Sequence, residues 1–243
     1  MSFHPGQSHI WPGPSSISER TVNVTKLAML RNPFGKIAIV AAAFGLFSAG
    51  CASQQTPAEK KAFDKRMAVQ LLKMRRTDQA LRRKLSSFED PSPELEQKIA
   101  AADRRHAVQL RLLIRKNDGW PTRAEVGQEG QNAAWILAQH ADERPRLQRY
   151  FLSELTKAVD AGNAPARHEA YLRDKVRLAS GKPQIYGTQV EVKDGEVVLK
   201  PVKNKSELDA RRQKVGLPPW EQYRKQLQSI IDRGKKESLP QTP

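Results

Sequence analysis

Three histidines, one aspartate and one cysteine are placed where chemistry could follow. Asp78 falls four residues after Met74 and three before Leu81, inside an otherwise apolar stripe of Phe63, Met67, Leu71, Met74, Leu81 and Leu85. Steps of three and four put these side chains on one helix face, so Asp78 points inward. A buried carboxylate is strongly disfavoured unless paired. Arg82 and Arg75 lie one turn to either side and can reach it. A second stripe is broken by His106, between Ala102 and Leu110. If the two helices form an antiparallel hairpin, Asp78 sits about 15 Å from its turn and His106 about 21 Å. They can then meet or share a network, as a structural polar contact or as a functional site.

His140 ends a helix in Gln139-His140-Ala141-Asp142. There it is either a C-terminal cap favoured by the helix dipole or a general base. His168 opens a helix and reads as a surface residue. The three histidines after residue 51 lie in separate segments without an H-x-x-x-H pair, so no metal centre is expected. Neither a phosphate-binding glycine loop nor a G-x-S-x-G elbow is present. No cofactor is expected.

Cys51 is the only cysteine of the 243 residues, which excludes an intramolecular disulfide and any multi-cysteine metal site. It ends an ordered series: Met29 to Lys36 is basic, Ile37 to Phe47 is apolar plus glycine, and Ser48-Ala49-Gly50 is small. That order is a secretory signal, and the apolar run is shorter than the roughly 20 residues a membrane span needs. The small residues before Cys51 resemble a lipobox, the site at which bacterial lipoproteins are cut and their cysteine acylated. Ser48 stands where leucine is usual there. Cleavage after Ala52, with Gly50 and Ala52 as the small pair, is the alternative. Ser53, where an aspartate would favour inner-membrane retention, favours the outer membrane if the organism has one.

The elements that must position these residues are helical. Residues 58–86 form the first helix. Ser92 caps the second, which Gly119 stops near Asn117. Thr122-Arg123-Ala124-Glu125 is a capping box opening a short turn before a helix at 130–141. Helices at 145–161 and from Pro165 to Gly181 follow. Asp194-Gly195, within the alternating Ile185–Val202 segment, marks a β-hairpin. Helix resumes at Ser206, and a last one follows Pro218-Pro219. Sparse aromatics (6%) and dense charge (28%) fit such amphipathic helices. The expected fold is mainly α: a compact multi-helix domain that begins with a long antiparallel hairpin and carries one small β-hairpin. Residues 1–28 form a non-structural extension, 29–50 the signal peptide, 51–57 a tether, 58–233 the single domain and 234–243 a disordered tail.

Thr77-Asp78-Gln79 with Arg82, Gly119-Trp120-Pro121, Val126-Gly127, Trp135, Gln139-His140-Ala141, Asp174-Lys175-Val176, Gln184 to Gln189, and Arg211 to Pro218 follow one another in the chain. In this order and spacing they resemble the bacterial family designated domain of unknown function 6624. The resemblance covers about residues 65–225. Lys175 stands where arginine is usual. The resemblance implies no activity. It implies that Asp78, Gln79, Trp120, His140, Tyr186, Thr188, Gln189 and Arg212 could converge on one groove. Such a set could orient a polar ligand against an aromatic wall, or run acid–base chemistry with His140 and Asp78. Equally, Tyr186 to Gln189 could be a tight entry to the hairpin, with Gly187 supplying a permissive backbone.

Four of 42 basic and one of 26 acidic residues precede Cys51, leaving 38 against 25 and a net charge of +13. That surplus favours anionic surfaces. The basic residues are scattered, which argues against nucleic acid. The sequence therefore leads to an exported, membrane-anchored envelope lipoprotein whose domain binds a small molecule or envelope partner. The alternatives are an envelope hydrolase or transferase using His140 with Asp78, and an anionic-surface binder.

Overall fold

The computed structural model describes residues 56–85 and 92–238. Cys51, the signal segment and the first 28 residues lie outside them. None of the helices described is long and apolar enough to cross a membrane.

Helix α1 (Pro57–Arg82) begins at a capping box, in which the Thr56 side chain accepts from the Glu59 N–H and Glu59 reaches back to the Thr56 N–H. Its stripe is buried as the spacing requires: Phe63, Met67, Leu71, Met74 and, among them, Asp78. Helix α2 (Pro93–Asn117) starts at Ser92, whose hydroxyl accepts from the Leu95 N–H, and it ends with Asp118 in the left-handed region. Lys60 reaches Asn117 (3.1 Å) and Arg82 reaches Asp103 (2.7 Å), so α1 and α2 run antiparallel as expected.

Helix α3 (Arg123–Gln139) packs along α1 in the same direction as α1. Lys60 bonds Glu125 near one end and Asp78 meets His140 near the other. The expected short turn and following helix are one element kinked at Gly127, whose φ 72° and ψ 169° cost glycine little and would strain a residue with a side chain. Helices α4 (Pro145–Asp160) and α5 (Ala166–Ala179) pack on one another and close the first core. Phe151, Leu155, Ala170 and Leu172 are buried there.

The second core belongs to the C-terminal third. Strands β1 (Val190–Lys193) and β2 (Glu196–Leu199) pair antiparallel through Asp194-Gly195, both at positive φ as a type I′ turn demands. A 3₁₀ turn (Lys205–Glu207) leads into α6 (Leu208–Lys214), and α7 (Trp220–Ser238) follows. Val197, Leu208, Trp220, Tyr223, Leu227 and Ile231 pack together between hairpin and helix. Helix α7 continues past Arg233, where the sequence places the end of the domain.

His168 is a correction. It is buried, its ring stacked on Trp135 at 4.3 Å with planes 6° apart. The Trp135 Nε1–H donates to the His168 carbonyl at 2.9 Å. Burial, with Arg167 adding to it, pushes the imidazole pKa down to about 3, so it is a neutral core residue. A position at a helix start says nothing about the indole waiting on the neighbouring helix.

Candidate functional site

Asp78 occupies its inward position on α1 because the helix stripe leaves no other direction for it. Its side chain is 1% exposed. Oδ1 accepts from His140 Nδ1 at 2.8 Å and from Arg82 Nε at 3.0 Å, and Oδ2 accepts from Gln79 Nε2 at 2.8 Å. Arg82 then extends to α2, where Nη2 donates to both oxygens of Asp103 at 2.8 and 2.7 Å. Arg75, the other expected partner, pairs instead with Glu129 on α3. His140 is the C-cap of α3, its N–H donating to the Ile136 carbonyl at 3.1 Å.

The electrostatics follow from burial and this chain of charges. Burial alone would raise Asp78, but His140 and Arg82 overcome it and hold the carboxyl at about 2. Asp103 goes the other way. Burial and the neighbouring Asp78 and Asp142 outweigh Arg82 and lift it to about 6. Burial lowers the His140 pKa, with Arg82 and Lys175 adding to it against the pull of Asp78. His140 is therefore neutral near pH 7. Because Asp78 is ionised and can only accept, Nδ1 must carry the imidazole proton. The lone pair is left on Nε2, which has no hydrogen-bond partner among the described residues. The side chain is 13% exposed, so a small polar group can approach it.

His106, expected to meet Asp78 or share its network, is buried close enough for the Asp78 charge to bear on it. Its Nδ1 finds no partner among the described residues. Burial lowers its pKa, leaving a neutral ring at the edge of the network. On α5, Lys175 faces the same region, with Nζ 2.8 Å from Asp142 Oδ2. Asp78, Asp103 and His140 could place one ligand atom each within 4.8 Å of one another. The Arg82 guanidinium bridges the two carboxylates there, donating to Asp78 Oδ1 and to both oxygens of Asp103.

The remaining residues of the expected groove lie elsewhere. Tyr186, Thr188, Gln189 and Arg212 surround Asp174, the residue before Lys175. The Asp174 carboxylate accepts from the N–H groups of Ile185, Tyr186 and Thr188 and from the Thr188 hydroxyl at 2.6–3.1 Å. Gln184 closes the loop from the other side, accepting from the Gln189 N–H and donating to the Gln189 and Lys200 carbonyls, each at 2.9 Å. Arg212 is fully buried. It donates to the carbonyls of Tyr186 (2.7 Å), Gly187 (3.0 Å) and Pro218 (2.6 Å), and its guanidinium sits 4.9 Å from the Tyr223 ring centre. Gly187 has φ 62°, and a Cβ there would come within 3.2 Å of Leu199 and Leu208. The hydrogen bonds these groups make hold the entry to the β-hairpin, while Arg212 Nη2 is buried without a partner among the described residues.

Trp120 lies at the opposite end of the α1–α2 hairpin, beside the Lys60–Asn117 contact. That is about 27 Å along α1 from Asp78 at 1.5 Å per residue. It is buried against a surface cavity of about 550 Å³ that Asn117, Glu125, Tyr150 and Lys157 also line. The structure thus brings together Asp78, Gln79 and His140, and adds Arg82, Asp103 and Lys175.

No curated protein and no solved structure gives a significant match to the chain. A family model matches residues 65–234, spanning every residue of the Asp78 and Asp174 networks. On that match the chain belongs to the family of unknown function DUF6624.

Proposed function

We propose that this chain is an exported protein, anchored in the bacterial envelope through a lipid on Cys51, whose domain performs acid–base chemistry at His140. The supporting observation is the 2.8 Å contact between Asp78 Oδ1 and His140 Nδ1, made by a carboxylate that stays ionised and an imidazole that stays neutral. Asp78 fixes the tautomer that leaves Nε2 able to accept a proton. In a hydrolase or transferase, Nε2 takes the proton of an attacking water or hydroxyl as its oxygen bonds to the substrate. The same proton then goes to the leaving group as its bond breaks. Asp78 stays ionised throughout and stabilises the imidazolium formed between these steps. The reading of a pure ligand groove is less well supported, because Tyr186, Thr188, Gln189 and Arg212 are engaged with their own loop.

Complementation of a deletion strain tests the chemistry. His140→Gln keeps a donor and an acceptor but has no basic nitrogen. Loss of complementation by His140→Gln, with the protein still present in the membrane fraction, is the expected result. Full complementation by His140→Gln and by His140→Ala contradicts it. Palmitate labelling that vanishes in Cys51→Ser tests the anchor separately. An unlabelled parent protein assigns the signal to ordinary cleavage. The small polar residue Ser53 favours the outer membrane as the destination, which membrane fractionation reads directly.

A further inference from the structure

The outward faces of α1 and α2 carry a pattern that the Asp78 site does not use. From Lys61 to Lys84 the exposed charged residues are Lys61, Lys65, Arg66, Lys73, Arg76, Arg83 and Lys84, all basic. The two acids in that stretch, Asp64 and Asp78, are turned inward to Lys60 and to His140. Val69 stands in the middle of this row, 57% exposed. On α2, after the acids of its first turn, the exposed face carries Arg105, Arg111 and Arg115 around Val108 (42% exposed) and Leu112 (58%). Three of the four large hydrophobic residues found exposed among the described residues are therefore on these two helices, each flanked by cations.

The Lys60–Asn117 and Arg82–Asp103 contacts set the register of the hairpin. Interpolating between them puts Val69 level with Arg111 and Leu112 along the hairpin axis. Aliphatic side chains within a field of lysine and arginine suit an interface that is anionic at its surface and apolar just beneath it. A single acyl chain holds a protein on a bilayer only marginally, and a basic patch is a common second attachment.

We propose that the outer face of the α1–α2 hairpin docks onto anionic phospholipid headgroups. Its use as an attachment in the cell rests on the export and anchoring proposed above. Pro57, the first residue of α1, is six residues from Cys51. An extended chain of that length reaches about 20 Å, which keeps α1 at the bilayer. The electrostatic attraction itself needs no acyl chain, so the two ideas can be tested apart.

The test uses the full chain carrying Cys51→Ser, which cannot be acylated, and co-sedimentation with vesicles. Phosphatidylcholine vesicles report the apolar contribution of residues 1–55, and the Gln variant below, which keeps the four cations before residue 51, separates the basic face from them on vesicles with added phosphatidylglycerol. Tighter binding to the anionic vesicles is expected, falling steeply as salt rises. Replacing Lys65, Arg66, Lys73 and Arg76 by Gln should weaken it by roughly 600-fold, from roughly fivefold for each of the four charges. Swapping Lys for Arg and Arg for Lys at the same four positions keeps the charge and should keep the binding. Equal binding to both vesicle types, salt-independent binding, or an unchanged affinity in the Gln variant overturns the proposal. Tighter binding to duplex DNA or RNA than to anionic vesicles at equal salt overturns it too. If palmitate labelling of the parent fails while these results hold, the anchor falls and the docking face stands.

Discussion

Asp78→Asn isolates the charge on which the site depends, since the amide keeps the shape and much of the hydrogen bonding. In the folded chain the carboxyl titrates at about 2 against an ordinary 3.8. At 1.36 kcal/mol per pKa unit this corresponds to about 2 kcal/mol of stability. The side chain is 1% exposed, so solvent screening removes little of it. The folded pKa is the lower one, so the contribution is complete above about pH 4 and fades as pH falls towards 2. Urea unfolding of parent and variant at pH 7, 5 and 3 reads this. The parent should be more stable by about 2 kcal/mol at pH 7 and 5, and by about half of that at pH 3. Other groups titrate in both proteins and largely cancel in the difference. Asp103 does not cancel fully, because Asp78 helps to raise it to about 6. Its carboxyl should titrate lower in Asp78→Asn, as seen by carbon NMR. A stability difference that stays constant from pH 7 to 3 would refute the reasoning, since Asp78 would then contribute shape and not charge.

Two further outcomes follow from the buried polar groups. Arg212→Lys keeps the charge but not the fork that bonds Tyr186, Gly187 and Pro218. A loss of about 3 kcal/mol is expected, with faster amide exchange across Val190–Leu199. His168→Phe retains a ring to stack on Trp135 and removes a group with a folded pKa of about 3, below its ordinary 6.5. Neutral His168 supports the fold above pH 6.5 and costs stability as pH falls towards 3. The Phe variant should therefore lose less stability than the parent over that interval, by up to about 4 kcal/mol.

The helices were legible because their stripes and caps are local. Thr122 with Glu125, Ser92 with Pro93, and Asp194-Gly195 each specify a turn or a start within four residues. The kink at Gly127 was less so, because it shows in backbone angles and not in side-chain periodicity. Strand β1 starts at Val190, not near Ile185, since the side chains of Asp174 and Gln184 take up the N–H groups of Ile185, Tyr186, Thr188 and Gln189 that a longer strand would have used. Asp78 was visible as the polar break in an apolar stripe. Its pairing with His140 was offered only by the family resemblance, because helix periodicity cannot join Asp78 to a residue 62 positions away on another helix. His106 lies at the right level on α2 but is not the hydrogen-bond partner of Asp78. Asp103, one residue past Ala102, gains its role only from the reach of Arg82. Tyr186 to Gln189 and Arg212 were recognisable as a unit, and the groups they bind are mostly their own backbone carbonyls and N–H groups.

Burial keeps His140 neutral, while Asp78 fixes its proton on Nδ1 and leaves Nε2 free. Long-range nitrogen–proton NMR of the His140 ring resolves tautomer and pKa together. The Nδ1–H tautomer at pH 7 and a titration below the ordinary 6.5 are expected, with the Nδ1 preference lost in Asp78→Asn. An Nε2–H tautomer in the parent, or a His140 that is already protonated at pH 7, would contradict this assignment.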